Sequence, residues 1–227
     1  MCGIPANYDK WRELGNSEWG LESVQPIFCA IERDFDFDNE HHGTSGPTLL
    51  CRHKISELIP TQRAFYDACK DFGLPIVEDH NHPSSTGVGI GPWNLSHDGV
   101  RISTAIAYLN PALARTNLVI CPDTLVDPDT LVDRIIFEGN RATGIEVITG
   151  GIRERILDGR VILSSGSMGT PAILLRSGVG TPKDLEKLRI ECHINLKGIG
   201  RNLVDHSSVG INWESPHGLL EETSPFA

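Results

Sequence analysis

The sequence predicts a mixed α/β (α+β) protein, and three observations carry that reading. Its 227 residues, 39% hydrophobic and 22% charged, suffice to bury one large core or two small ones. Residues 61–72 repeat apolar side chains at helical spacing, whereas the stretch from 118 to 163 breaks into short β-type runs. Finally, the strand-like Arg160-Val-Ile-Leu-Ser-Ser165 leads into small residues, an apolar helix and a second glycine turn.

Taken in order, the first forty residues read as aromatic-rich and irregular. Tyr8, Trp11, Trp19 and Phe28 are spaced as anchors, and Gly15-Asn16 and Gly20 mark turns. A helix is expected from Leu21 to Glu32, followed by a solvated acidic loop over Glu32–Glu40. His41-His42-Gly43-Thr-Ser-Gly46-Pro47 then forms a tight turn into the strand Thr48–Cys51. Pro60 suits the first position of an amphipathic helix running from Thr61 to Phe72, with Ala64, Phe65, Ala68 and Cys69 on one face. Gly73 ends it. Residues 78–94 are loop-rich, and a short helix over Ser103–Leu109 should stop before Pro111.

Strands follow at Leu118–Cys121, at Leu131–Phe137 and Thr143–Ile148 as a hairpin around Glu138-Gly-Asn-Arg141, and at Arg153–Leu157. Val161–Leu163 reads as a buried strand. Helices over Thr170–Arg176 and Pro182–Arg189 precede a strand at His193–Leu196 and a turn-rich tail. Thr124-Leu-Val-Asp127 recurs as Thr130-Leu-Val-Asp133, which reads as a local insertion that lengthens a loop.

Composition excludes several classes. A formal charge of −10 with only 20 scattered Lys and Arg argues against a nucleic-acid surface. No apolar run reaches the roughly 18 residues of a membrane span, and the N-terminus lacks the basic and apolar regions of a signal peptide. The six cysteines include no C-x-x-C pair, so they read as reduced thiols of a cytoplasmic protein.

Local chemistry is sparse. Glu78-Asp-His-Asn-His82 gathers two carboxylates and two imidazoles, but no further ligand stands at a recognised spacing, and a solvated loop is the stronger reading. A metal-dependent enzyme using His80 and His82 stands as a rival. His41-His42 is a weaker ligand candidate still. Ser165-Gly-Ser-Met-Gly169 has no base beside it and is no nucleophile elbow. Gly87-Val-Gly-Ile-Gly91 runs into Pro92 and Trp93, so it is no dinucleotide fingerprint. Gly166–Gly180 reads equally as backbone N–H groups presented to an anion or polar ligand and as tight packing for its own sake.

In Gly166–Gly180, the residues Gly166, Ser167, Thr170, Pro171, Ile173, Leu174, Ser177, Gly178, Val179 and Gly180 fill every place of a fifteen-position pattern. That pattern resembles the second signature of the glucose–methanol–choline (GMC) oxidoreductases, the FAD-dependent alcohol dehydrogenases and oxidases. Pro5–Trp11, His42-Gly-Thr-Ser-Gly-Pro47, Asp98–Leu109 and Gly198–His206 resemble other stretches of the same family in the same order.

The resemblance implies an incomplete FAD/NAD(P)-binding-type domain with part of a substrate-binding lobe. Residues 1–227 would be part of the family's N-terminal FAD-binding region, lacking the nucleotide-binding βαβ start and the C-terminal catalytic domain. It implies FAD held close to Ser165, Gly166 and Ser167, and to the backbone of Val132 on the adenine side, with Val126 a rival because of the repeat. No residue is assigned as catalytic or as a metal ligand, and His206 belongs to the fold's Asp-His element. The implied reaction is oxidation of a small alcohol at CH–OH, by a chain inactive alone, and the uncovered sheet edge implies self-association. A non-catalytic binding remnant of the family is the alternative.

Overall fold

The structure, a computed structural model, describes residues 3–121 and 131–211. They fall into two compact units that meet in sequence at Leu118 and Val119.

The first unit opens with a helix, α1 (Pro5–Glu13), where an irregular segment was expected. Pro5 at its first position costs no helical donor. Tyr8 and Trp11, one turn apart, meet edge-on at 5.5 Å; Trp19 joins Trp11 at 5.8 Å, and Phe28 joins Tyr8 at 5.8 Å. The anchors therefore tie α1 to α2 (Leu21–Ile31).

The acidic stretch is not the solvated loop expected. α2 passes directly into strand β1 (Glu32–Asp34), which pairs in parallel with β2 (Thr48–Leu50), Glu32 opposite Thr48 and Asp34 opposite Leu50. Glu32 and Asp34 are buried because His42 and Arg52, ten and eighteen residues on, lie against them. The 41–47 turn folds onto β1: the Asp34 N–H donates to Gly43 O at 2.8 Å and the Gly46 N–H to Glu32 O at 2.8 Å. A Cβ on Gly43 would stand 1.7 Å from Cys29 O, and one on Gly46 2.2 Å from the Ile31 carbonyl carbon. Only glycine lets these backbones touch.

Helix α3 (Pro60–Asp71) forms as read, but its predicted face does not become the core. Phe65 is 69% exposed, and Tyr66 is the residue buried. After Ser103 and Thr104, a π-type turn over Ala105–Leu109 continues into α4 (Asn110–Ala112), past the stop expected before Pro111. The change of register places Pro111 in a new first turn, where it forfeits no hydrogen bond.

The second unit is built on an antiparallel meander, β3 (Leu131–Glu138), β4 (Arg141–Thr149) and β5 (Ile152–Leu157). Helix α5 (Gly166–Arg176) packs on β3, and Ile135, Val147 and Ile173 are buried in this unit. The short β6 (Val179–Gly180) pairs in parallel with β7 (Ile194–Asn195), joined through α6 (Pro182–Lys187), whose Leu185 is fully buried.

Two expected strands do not form. Leu118–Cys121 and Val161–Leu163 lack strand partners among the described residues, and Val119 and Ile162 are 83% and 80% exposed. An apolar run becomes a strand only where a neighbour takes up its backbone groups.

Candidate functional site

The predicted cradle lies at the start of α5, four residues earlier than the helix was expected to begin. Ser165 precedes the first turn without a side-chain cap. Its own N–H donates to Thr170 Oγ1 at 3.0 Å, which gives the signature threonine a structural task. Gly166 adopts φ +77°, and a Cβ there would meet nothing within 4 Å: the backbone opens onto free space. At Gly169, by contrast, a Cβ would come 2.8 Å from Ser165 Cβ, so the turn closes only around a small residue. Ser165, Gly166 and Ser167 are all exposed. First-turn N–H groups have no partner within a helix, so an uncapped end of this kind presents donors and a positive dipole outward.

Val132 lies on β3, half-buried, and meets the opposite end of the same helix. Arg176 Nη2 donates to Val132 O at 3.1 Å and Arg176 Nε to Asp133 O at 2.8 Å. Beside them the Ile135 N–H donates to Ser177 Oγ at 2.8 Å, and that hydroxyl donates to Ile173 O at 2.6 Å. The structure thus joins Val132 to the last turn of α5, while Ser165–Ser167 occupy its first, about 15 Å along the axis at 1.5 Å per residue. The rival Val126 lies outside the described residues.

Four arginines surround two carboxylates on this sheet. Asp133 Oδ2 accepts from Arg153 at 2.7 Å and from Arg134 at 3.0 Å, with Arg176 Nε 3.6 Å from its Oδ1. Glu146 pairs with Arg153, Arg134 and Arg155. Burial pushes the Asp133 carboxyl up, but the arginine hydrogen bonds outweigh it and hold the group below the usual aspartate value.

The first unit contains a buried ionic cluster that sequence reasoning missed. His42 Nδ1 lies 3.0 Å from both Glu32 Oε1 and Asp34 Oδ2, and its Nε2 lies 2.9 Å from Asp79 Oδ2. Both ring nitrogens therefore stand within hydrogen-bond distance of carboxylate oxygens. Arg52 completes the cluster, with Nη1 at 2.8 and 2.9 Å from the two Asp34 oxygens and Nη2 at 3.1 Å from Asp79 Oδ1. Its guanidinium lies over the Phe37 ring at 4.5 Å. Burial raises the Asp79 carboxyl, and the bonds from His42, the Asn81 N–H and Arg52 more than reverse this, so it titrates below the usual value.

Glu32, Asp34 and His42 also gather ligand atoms within 4.8 Å of one another. Glu32 Oε1 already accepts from the Gly43 N–H, and Asp34 Oδ2 from the Arg52 guanidinium, so the cluster has donors of its own. Of the other histidines, His82 takes hydrogen bonds with Ser84 and packs edge-on against His41 at 4.7 Å. His80 joins no such group among the described residues. The signal that could have exposed the cluster was the turn itself, since glycines at 43 and 46 bring His42 down onto the acids of β1.

A cavity of about 740 Å³ lies in the first unit beside α3, lined by Glu57, Leu58, Ile59, Trp93 and Arg101 among others. It includes none of the predicted site residues. Cys29, Cys51, Cys69 and Cys192 are free thiols.

Comparison with known proteins agrees with these features. The family model described as GMC oxidoreductase matches residues 2–208. The chain is 38% identical over 225 residues to an uncharacterized GMC-type oxidoreductase of the thcA 5′ region in Rhodococcus erythropolis, covering 98% of this chain and 43% of that protein. It is 38% identical over 208 residues to the mitochondrial choline dehydrogenase of Mus musculus, covering 91% of this chain and 33% of the relative. Among solved structures, an FAD-dependent oxidoreductase from Chaetomium thermophilum superposes with a TM-score of 0.74 at 28% identity, over 86% of this chain and 35% of that one. The chain therefore spans well under half the length of these proteins.

Proposed function

The chain belongs to the GMC oxidoreductase family, and on that premise we propose that it forms the flavin-cradling part of an FAD-dependent oxidoreductase acting on the CH–OH group of a small alcohol. The observation that carries the reading is the start of α5: an uncapped helix end whose Gly166 opens onto free space. A Cβ at this position would fill the space that a closely held cofactor needs.

The residues present fit the group. The N–H groups of the first turn of α5, around Gly166 and Ser167, would donate to its polar or anionic atoms. The small side chains of Ser165 and Ser167 would admit it to the backbone, and the backbone of Val132 would contact its adenine half. FAD, when bound, supplies the acceptor for hydride from the alcohol carbon. The alcohol is of the size class of choline, on which a relative acts by name. The free thiols of Cys29, Cys51, Cys69 and Cys192 support a reducing, cytoplasmic setting. Among the described residues no helix is long and apolar enough to cross a membrane.

Titration of the purified chain with FAD, followed by flavin fluorescence and absorbance, tests the reading. The expected result is saturable binding in the micromolar range, weakened at least tenfold by Gly166→Val or Ser167→Trp. A folded chain that leaves FAD fluorescence unchanged at all concentrations refutes it.

A further inference from the structure

We propose that Arg176 is a positioning residue for the cofactor, fixing the backbone of Val132 against α5; the inference rests on the reading above, in which Val132 contacts the adenine half. In a regular strand successive carbonyls point to opposite edges. The register of β3 against β4 shifts between Val132 and Arg134, so an extra residue enters the strand there. At this bulge two consecutive carbonyls, Val132 O and Asp133 O, accept from one guanidinium at 3.1 and 2.8 Å. Only a planar fork meets both; a lysine ammonium is a point charge.

The bulge is held from the other side as well. The Asp133 side chain is fixed by Arg153 and Arg134, so the residue cannot turn without breaking those pairs. Arg176 stands in the last turn of α5, where the helix dipole favours a cation. Ser177 already closes the free edge of β3 at Ile135, so edge closure alone does not call for Arg176. What the arginine adds is the orientation of the Val132–Asp133 peptide. Through α5 it also sets the distance from that peptide to Gly166 and Ser167. The two halves of the cradle become one rigid piece.

The test compares the unsubstituted chain with Arg176→Met and Arg176→Lys, using ADP as a probe of the adenine half and FAD as the whole cofactor. Amide hydrogen exchange across α5 is measured in parallel without ligand. Arg176→Met should weaken ADP and FAD about tenfold, the low end of what one hydrogen bond to a charged group is worth. Arg176→Lys should recover part of the loss, and protection of the α5 amides should persist in both variants. Equal affinity across the three chains overturns the proposal while leaving the cofactor reading intact. Collapse of α5 protection alongside lost affinity also overturns it, because the arginine would then only hold the fold. If the unsubstituted chain binds neither ADP nor FAD, the cofactor reading itself fails and the positioning role falls with it.

Discussion

Arg52 and His42 carry the heaviest electrostatic duty of any single side chains in the first unit. Between them they face Glu32, Asp34 and Asp79, three carboxylates with almost no access to water. Removing one partner of such a group leaves a buried charge uncompensated, which typically costs about 3–5 kcal/mol. Arg52→Met should therefore lower the unfolding free energy of the first unit, measured by urea titration, by that amount. The acid response has a definite sign. Asp79 and Asp133 both titrate below the ordinary aspartate value when folded, so each stabilises the fold above about pH 4. That contribution is lost as pH falls through the folded value. Unfolding followed from pH 7 to pH 3 should show a fall that begins near pH 4 and is shallower in Asp79→Asn, which starts from lower stability at neutral pH. Identical acid profiles for the two chains would remove Asp79 from the account. Little of this was legible in the sequence. The turn at His42-Gly43 could be read from its glycines, but no periodicity links Asp34 to Arg52 or either to Asp79, and an acidic run without visible partners reads as solvated. The pairing is a fact of tertiary structure.

Elements were legible where local chemistry and tertiary contact agree. Pro60 and Gly73 bracket α3, the Gly139 turn sets the β3–β4 hairpin, and Pro182 opens α6, each through a backbone preference that needs no distant partner. Val161–Leu163 has the composition of a buried strand but lacks, among the described residues, the neighbouring strand that would make it one. The start of α5 was missed for a related reason: Gly166, Ser167 and Gly169 are poor helix formers, and close approach to Ser165 and the bond from the Ser165 N–H to Thr170 Oγ1 hold them helical. At the candidate site, Ser165, Gly166 and Ser167 could be named because a motif fixes them, whereas Arg176 could not, since its task depends on a bulge in a strand forty residues away. The same junction yields a test of element packing. Ser177 accepts from the nearly buried Ile135 N–H and donates to Ile173 O, linking strand to helix through one hydroxyl. Ser177→Ala strips the acceptor and leaves that N–H unsatisfied, a loss of about 1–3 kcal/mol. Calorimetry of the two chains measures it. An unchanged melting temperature would mean that Arg176 and apolar packing hold β3 to α5 without Ser177.

For the whole molecule, the edge at β5 is where we propose that self-association arises. All six residues of the strand are exposed, with Ile152 at 66% and Ile156 at 50%, and among the described residues one side of its backbone has no strand beside it. Such an edge is a template for another strand, and the occupant we expect is a second copy of this chain. Antiparallel pairing about Glu154 sets Ile152 opposite Ile156 of the second copy, twice over, which buries apolar surface on both sides. The same register sets Glu154 opposite its own counterpart and Arg153 opposite Arg155, like charges that oppose the contact. The edge is therefore attractive in its apolar residues and repulsive in its charged ones. Arg153 is already neutralised by Asp133 and Glu146, which leaves Glu154 as the main guard. Sedimentation velocity should show weak self-association that strengthens as sodium chloride screens the carboxylates, strengthens further in Glu154→Thr, and disappears in Ile156→Lys. Association that weakens with salt would place the contact on charge complementarity elsewhere, and association indifferent to Ile156→Lys would exclude this edge as its seat.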